Sequence, residues 1–170
     1  MVRPVAILLT LALAALLSGC FASDRPMFAP ASAVRALGDG GKYATFEQVD
    51  GKDNPSDPIV VRPRAGNAYD FINEKGKATP VTLHPLPGGE HVAQVTLEKN
   101  QGYGYILFRI TDKEAMVVPA ECDKQDKTKM AALGVVQRNQ FECRIDKVAD
   151  PVAFFASLKR SEPVAKMVRE

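Results

Sequence analysis

The sequence predicts an α+β fold class: an antiparallel β-meander, partly barrel-like, with C-terminal helices packed on one face. From Lys42 to Pro119 the chain consists of short β-prone runs that are separated by turn residues. After Cys122 the pattern changes to helix formers, and the pair Asp150-Pro151 is typical of a helix start. When connections are this short, consecutive strands most simply pair with each other in an up-and-down meander.

The predicted strands follow one another with tight turns between them. The pair Asp50-Gly51 ends the first strand, and the proline-bearing segment at 53–58 (DNPSDP) is expected to form a loop. The expected strands span residues 43–49, 59–62, 68–73, 79–84, 91–98, 103–111 and 115–119.

The strand at 103–111 is apolar on both faces. One face carries Tyr103, Tyr105 and Leu107, and the other carries Ile106, Phe108 and Ile110. Such a strand needs cover on both sides, from a helix, a second sheet or a ligand. Tyr103, Tyr105 and Phe108 are therefore candidates to line the mouth of a ligand cavity, because small closed barrels hold one apolar ligand. The alternative is that these aromatic side chains belong to the core.

The segments after Cys122 predict two helices and a short strand. Residues 123–133 begin with acidic side chains and end before Gly134, which indicates a helix. Residues 141–145 favour a short strand that carries Cys143. A second helix is expected from Asp150-Pro151, and residues 161–170 are expected to continue as a frayed helix.

The first twenty residues differ in composition from the rest of the chain. A short positive start that includes Arg3 precedes residues 5–17, which contain no charged side chain. This run suits the core of a signal peptide, since a helix that spans a bilayer needs about 20 residues. It ends on Leu17-Ser18-Gly19-Cys20.

This ending resembles the lipobox of bacterial lipoproteins, which has an aliphatic residue, two small residues and a cysteine. The resemblance covers only these first twenty positions. It implies that the Cys20 thiol receives a diacylglyceryl group, that residues 1–19 are removed, and that the new amino group is acylated. Because Phe21 rather than aspartate follows Cys20, it also implies the outer membrane, facing the periplasm, in a two-membrane cell. The alternatives are an ordinary signal peptide with a chance cysteine, or an uncleaved anchor.

The mature chain is expected to be one lipidated domain. Residues 20–41 contain small residues, prolines and late glycines, and are interpreted as the lipidated cysteine followed by a flexible tether. Residues 42–170 then form a single globular domain. Removal of residues 1–19 takes away Arg3 and no acid, so the formal charge falls from +2 to about +1. A nearly neutral domain lacks the excess positive charge that attracts nucleic acid.

With Cys20 assigned to lipid, two cysteines remain in the mature chain. Cys122 and Cys143 would lie in an oxidising compartment, where disulfides persist. Their pairing closes a loop of about 20 residues and contributes roughly 3 kcal/mol in the chain-entropy model. A redox-active pair is the alternative, but it usually needs a C-x-x-C spacing. We therefore expect a structural disulfide.

Two weaker patterns suggest binding sites. His84 and His91, with Glu90 beside them, could approach across the turn at 85–89 and hold a metal, but spacing fixes no third ligand, so no metal site is predicted. Positive side chains that could line an anion-binding surface are Arg62, Arg64 and Arg109. A solvated sheet edge explains the arginines beside Pro63 equally well.

These patterns favour a non-enzyme. The chain has no nucleophile elbow G-x-S-x-G and no glycine-rich phosphate loop, and no cofactor is expected. The leading hypothesis is a lipid-anchored module of the cell envelope, held to the membrane at Cys20, that binds a partner protein or has a structural role. The alternatives are a carrier of a small apolar ligand in a lipocalin-like barrel, a periplasmic inhibitor of a lytic enzyme, and an enzyme with His84 or His91 as base.

Overall fold

The computed structural model describes residues 21–98, 101–139 and 142–170, so the predicted lipobox Leu17-Ser18-Gly19-Cys20 lies outside the described residues. Within those ranges, eleven strands form one sheet and two short α-helices accompany it. The strands are β1 (Phe21–Ser23), β2 (Gly41–Val49), β3 (Lys52–Pro63), β4 (Ala68–Ile72), β5 (Ala78–Pro85), β6 (Glu90–Thr96), β7 (Tyr103–Ile110), β8 (Glu114–Val117), β9 (Val136–Gln137), β10 (Cys143–Arg144) and β11 (Ala165–Arg169). The helices are α1 (Lys127–Ala132) and α2 (Pro151–Ser157). Neither of these two helices is long and apolar enough to cross a bilayer.

Strands β2 to β8 pair consecutively as an antiparallel meander, as predicted. Strand β11 lies between β2 and β8, and this closes eight strands of the described chain into a barrel. Closure gives each of the eight strands two neighbours, which reduces the unpaired edge at which other chains could associate. The fold is therefore mostly antiparallel β, and the α+β prediction is only partly right.

The closing strand corrects the prediction of a helix over residues 161–170. Met167 of β11 pairs with Thr45 of β2 on one side and with Ala115 of β8 on the other. Its side chain is buried in the barrel. Without β11 one edge each of β2 and β8 would stay unpaired. Residues 165–169 have no strong local preference, so pairing with these two edges determines their conformation.

The hairpin between β2 and β3 corrects the loop that was expected at 53–58. Asp50 and Gly51 both have positive φ (51° and 73°), which suits a two-residue turn and keeps the strands paired beyond it. The pairing shifts register between Tyr43 and Thr45, where the Thr45 hydroxyl donates to the Asp57 carbonyl at 2.6 Å. A bulge of this kind accommodates prolines that lack a backbone donor.

Residues 21–40, which we call the N-terminal strap, form no flexible tether. The strap starts as β1, which pairs with β7 and with β10. Its later residues contact Leu83, His84 and Tyr69 of the barrel before the chain enters β2. Three of its apolar side chains, Phe21, Phe28 and Leu37, are buried. The interpretation as a tether was wrong because isolated apolar residues among prolines and small residues show no period that predicts burial.

The buried apolar side chains form two layers that meet on β7. The barrel core contains Tyr43, Val61, Tyr69, Leu83, Ala93, Phe108, Ala115 and Met167, with Leu37 of the strap. The outer layer contains Phe21, Phe28, Val92, Tyr105, Leu107, Ile145, Phe154 and Phe155. Both faces of β7 are covered, as its sequence requires, and the cover on the outside comes from the strap and α2.

The C-terminal elements lie on this outer layer. Helix α1 is shorter than predicted and is capped by Asp126, whose carboxylate accepts from the Lys129 amide at 2.8 Å. Helix α2 begins as predicted, with the Asp150 carboxylate accepting from the Ala153 amide at 3.0 Å. The disulfide between Cys122 and Cys143 is present and ties the segment before α1 to β10.

Candidate functional site

The outer layer under the strap is the most densely aromatic part of the described chain. The Phe21 ring lies edge-on to Phe154 of α2, with ring centroids 5.2 Å apart. The Phe28 ring stacks on the His84 imidazole at 4.6 Å. Such pairs add about 0.5–1.5 kcal/mol each to the burial of their area, so they hold β1 and α2 to the barrel.

Buried polar groups of the barrel also hold the strap. The Tyr105 hydroxyl lies 2.6 Å from the Ser23 hydroxyl and accepts from the Met27 amide at 3.0 Å. The Gln94 side-chain oxygen accepts from the Phe28 amide at 3.0 Å. Burial raises the pKa of Tyr105, so its hydroxyl stays protonated. These contacts satisfy strap amides that would otherwise be buried without partners.

His84 completes this set of contacts. Its side chain is buried, with Nδ1 2.8 Å from the Ser32 hydroxyl and Nε2 2.9 Å from the Thr82 hydroxyl. Burial lowers the pKa of His84 from 6.5 to about 4, against an opposing hydrogen bond with Ser32. The imidazole is therefore neutral near pH 7, which lets it serve one hydroxyl as donor and the other as acceptor.

The structure does not bring His84 and His91 together as metal ligands. His84 faces the outer layer, whereas His91 shares the inward face of β6 with Ala93. Burial lowers the pKa of His91, and its buried Nδ1 has no hydrogen-bond partner among the described residues. In the described part of the chain, no three His, Cys, Asp or Glu side chains are grouped so that they could hold a metal.

The three candidate ligand-lining residues of β7 do not share a cavity. Tyr105 is buried in the outer layer and Tyr103 packs beside it, whereas Phe108 faces the barrel core. The strap and α2 fill the space over the two tyrosines. The expected mouth lined by all three residues is therefore corrected, since alternate positions of a strand point to opposite faces.

The candidate anion-binding arginines are also separate. Arg62 and Arg64 donate to the two carboxylate oxygens of Asp70 at 3.2 and 3.1 Å. Arg109 donates to Glu90 at 3.2 Å on a different part of the barrel. Each arginine has a carboxylate partner, so the three do not form a common anion site.

A groove that sequence reasoning did not find runs between α1 and α2. It consists of two depressions of about 390 and 490 Å³, and both are lined by Lys129 and Ser157. The Lys129 ammonium donates across the groove to the Ser157 carbonyl at 3.5 Å. We call the two depressions together the interhelical groove. Its apolar lining includes Met130, Leu133, Val148, Ala153 and Phe154.

The charge of the interhelical groove is positive. Its lysines are Lys124, Lys129, Lys147 and Lys159. Its two carboxylates, Asp126 and Asp150, cap the helices, and the Lys124 ammonium contacts Glu121 at 2.6 Å. Leu133 in the groove and Val152 on α2 are exposed by 37% and 39%. Exposed apolar side chains beside lysines are suited to bind an amphipathic, acidic surface.

Comparison with known proteins adds no assignment to this site. No protein-family model, no curated protein and no solved structure matches the chain. The residues of the groove come from two separate stretches of the chain, 124–134 and 147–159, so their proximity carries no local signal.

We predict that His84 makes the stability of the domain dependent on pH. The unfolded chain binds more protons than the folded one between the unfolded pKa of 6.5 and the folded pKa of about 4. Stability is therefore complete above the unfolded pKa and is lost as the pH falls towards 4. Between about pH 7.5 and 5 the loss from this group is about 2 kcal/mol.

Urea unfolding of the wild type, His84→Gln and His91→Gln at both pH values measures this dependence. Glutamine does not titrate, so His84→Gln should show a pH dependence smaller by about 2 kcal/mol than that of the wild type. His91→Gln is the matched control and should reduce the pH dependence less. An unchanged pH dependence in His84→Gln would contradict the assignment.

Proposed function

We propose that this protein is a lipid-anchored lipoprotein of the bacterial cell envelope that binds a partner protein through the interhelical groove. The anchor is Cys20, and the domain faces the periplasm from the outer membrane. The observation that carries the binding role is the apolar lining of the groove under a rim of lysines. The sequence motif Leu17-Ser18-Gly19-Cys20 supports the anchor.

The shape of the groove supports a protein segment as its occupant. Its two depressions are open at the surface and adjoin each other at Lys129, which suits successive side chains of one segment. Apolar anchors that enter such depressions supply most of the affinity of an interface, while the polar rim excludes water. Because the rim is positive, the complementary segment is amphipathic and acidic.

Photo-crosslinking in intact cells tests the partner. A photoreactive amino acid at Leu133, in the groove, should give a defined protein adduct, because the side chain contacts the partner directly. The matched control is the same amino acid at Val49, which is 51% exposed at the β2–β3 hairpin. The adduct at Leu133 should fall severalfold with the double change Lys129→Glu and Lys147→Glu, which reverses the charge of the rim.

The outcomes separate a specific partner from chance contact. An adduct of equal yield at Leu133 and Val49, or one that the lysine changes leave intact, would contradict the groove as binding site. Both positions are exposed, so neither substitution is expected to unfold the domain.

The anchor has a separate test. The intact mass of the protein extracted from membranes should equal that of residues 20–170 plus a diacylglyceryl group and an amide-linked acyl chain. Cys20→Ser should abolish this added mass, because serine carries no thiol that could accept the diacylglyceryl group. A full chain with free Cys20 in the membrane would contradict lipidation.

A carrier of a small apolar ligand is the second candidate, and the closed barrel favours it. Leu37 closes one end of the barrel, where the Tyr69 hydroxyl accepts from the Leu37 amide at 3.2 Å. Several apolar side chains that pack on the barrel core are only partly buried, among them Ile59, Phe71, Ile106 and Val117. Native mass spectrometry of Cys20→Ser distinguishes the candidates, since a carrier would retain an apolar molecule that denaturation releases.

A further inference from the structure

The residue that follows Cys20 already belongs to the folded domain. Phe21 is 2% exposed and pairs with Tyr105 of β7 and with Cys143 of β10. Ser23, the last residue of β1, has no exposed surface. The residue that would carry the lipid is therefore bonded directly to a core residue.

This arrangement limits how far the domain can move from the lipid. Consecutive Cα atoms are about 3.8 Å apart, so Cys20 has no spacer before Phe21. A flexible tether of the length of the strap would instead reach about 25 Å. The difference decides whether the domain diffuses freely above the bilayer or rests on it.

The strap is held along its whole length, so β1 is not released locally. Ser23 and Met27 contact the Tyr105 hydroxyl. Further along, the Val34 amide donates to the Leu83 carbonyl at 2.8 Å. A side chain at Gly102 would also place its Cβ 2.1 Å from the Ser23 carbonyl oxygen, so the fit around the end of β1 is close.

We propose that the lipid anchor has no tether and that β1 seats the domain directly on the bilayer surface in one orientation. The proposal rests on the proposed lipidation of Cys20. The bilayer is the occupant because Phe21, the neighbour of the residue proposed to carry the lipid, is buried in the fold. The acyl chains enter the membrane at one end of β1, and the domain is rigid from the next residue onward.

The strand directions identify which end of the domain faces the bilayer. Strand β10 runs parallel to β1, so Glu142, which precedes β10, lies on the same side as the start of β1. The Arg138 amide donates to the Glu142 carbonyl at 2.9 Å, which places Arg138 at this end. The other end of β1 points towards Lys77 and Glu98, which form an ion pair.

Quenching of a fluorophore by brominated phospholipids measures the seating. The full-length precursor is expressed in a bacterium with Arg138→Cys or Lys75→Cys, and the processed protein is placed in vesicles of phosphatidylethanolamine and phosphatidylglycerol. Both positions are exposed and accept a bimane label. Quenching should be severalfold stronger at 138, beside the lipid, than at 75, in the turn between β4 and β5.

A spacer variant provides the matched control. Twenty Gly and Ser residues inserted between Cys20 and Phe21 should abolish the difference between the two positions, because the domain is then free to rotate. Equal quenching at 138 and 75 in the acylated protein without the spacer overturns the seating alone. An intact mass without lipid on Cys20 overturns the proposed anchor and the seating with it.

Discussion

The contacts between the N-terminal strap and the outside of the barrel are the constraint on which the rest of the structure depends. The apolar and polar side chains on the outward faces of β6 and β7 are contacted neither by water nor by the barrel core. The strap lays Phe21 and Phe28 over them and places backbone amides against Tyr105 and Gln94. Removing the strap would expose these apolar side chains to water, so this region is stable only when the strap is in place.

The C-terminal elements are built on this strap. Strand β10 pairs with β1, and β9 pairs with β10. Helix α2 packs on Phe21 through Phe154 and Phe155. The disulfide fixes the start of α1 to the same edge. Arg160 adds a paired contact from the end of α2 to Glu90 of the barrel, at 2.8 and 3.0 Å. The α2 side of the interhelical groove therefore rests on the strap, and this links the position of the anchor to the proposed binding site.

Sequence patterns predicted those elements of the fold that depend on residues close together in the chain. Turn residues and alternation located the meander of β2 to β8, and the pair Asp150-Pro151 located the start of α2, since caps and turns act over a few residues. Long-range demands decided the remainder. Strand β11 forms because the barrel needs closure, and the strap is buried because β7 needs cover on its outer face. The pairing of Cys122 with Cys143 was predictable by elimination, whereas the groove required knowledge of how α1 and α2 lie against each other.

Hydrogen exchange of the strap amides in the processed protein tests the central claim most directly. The amides of Met27, Phe28, Val34 and Leu37 donate to groups of the barrel. If the strap is part of the fold, these amides exchange slowly, with protection comparable to that of amides in β5 and β6. If they exchange at the rate of an unfolded chain while β5 and β6 remain protected, the strap is a tether, and both the seating on the bilayer and the dependence of the groove on the strap are wrong.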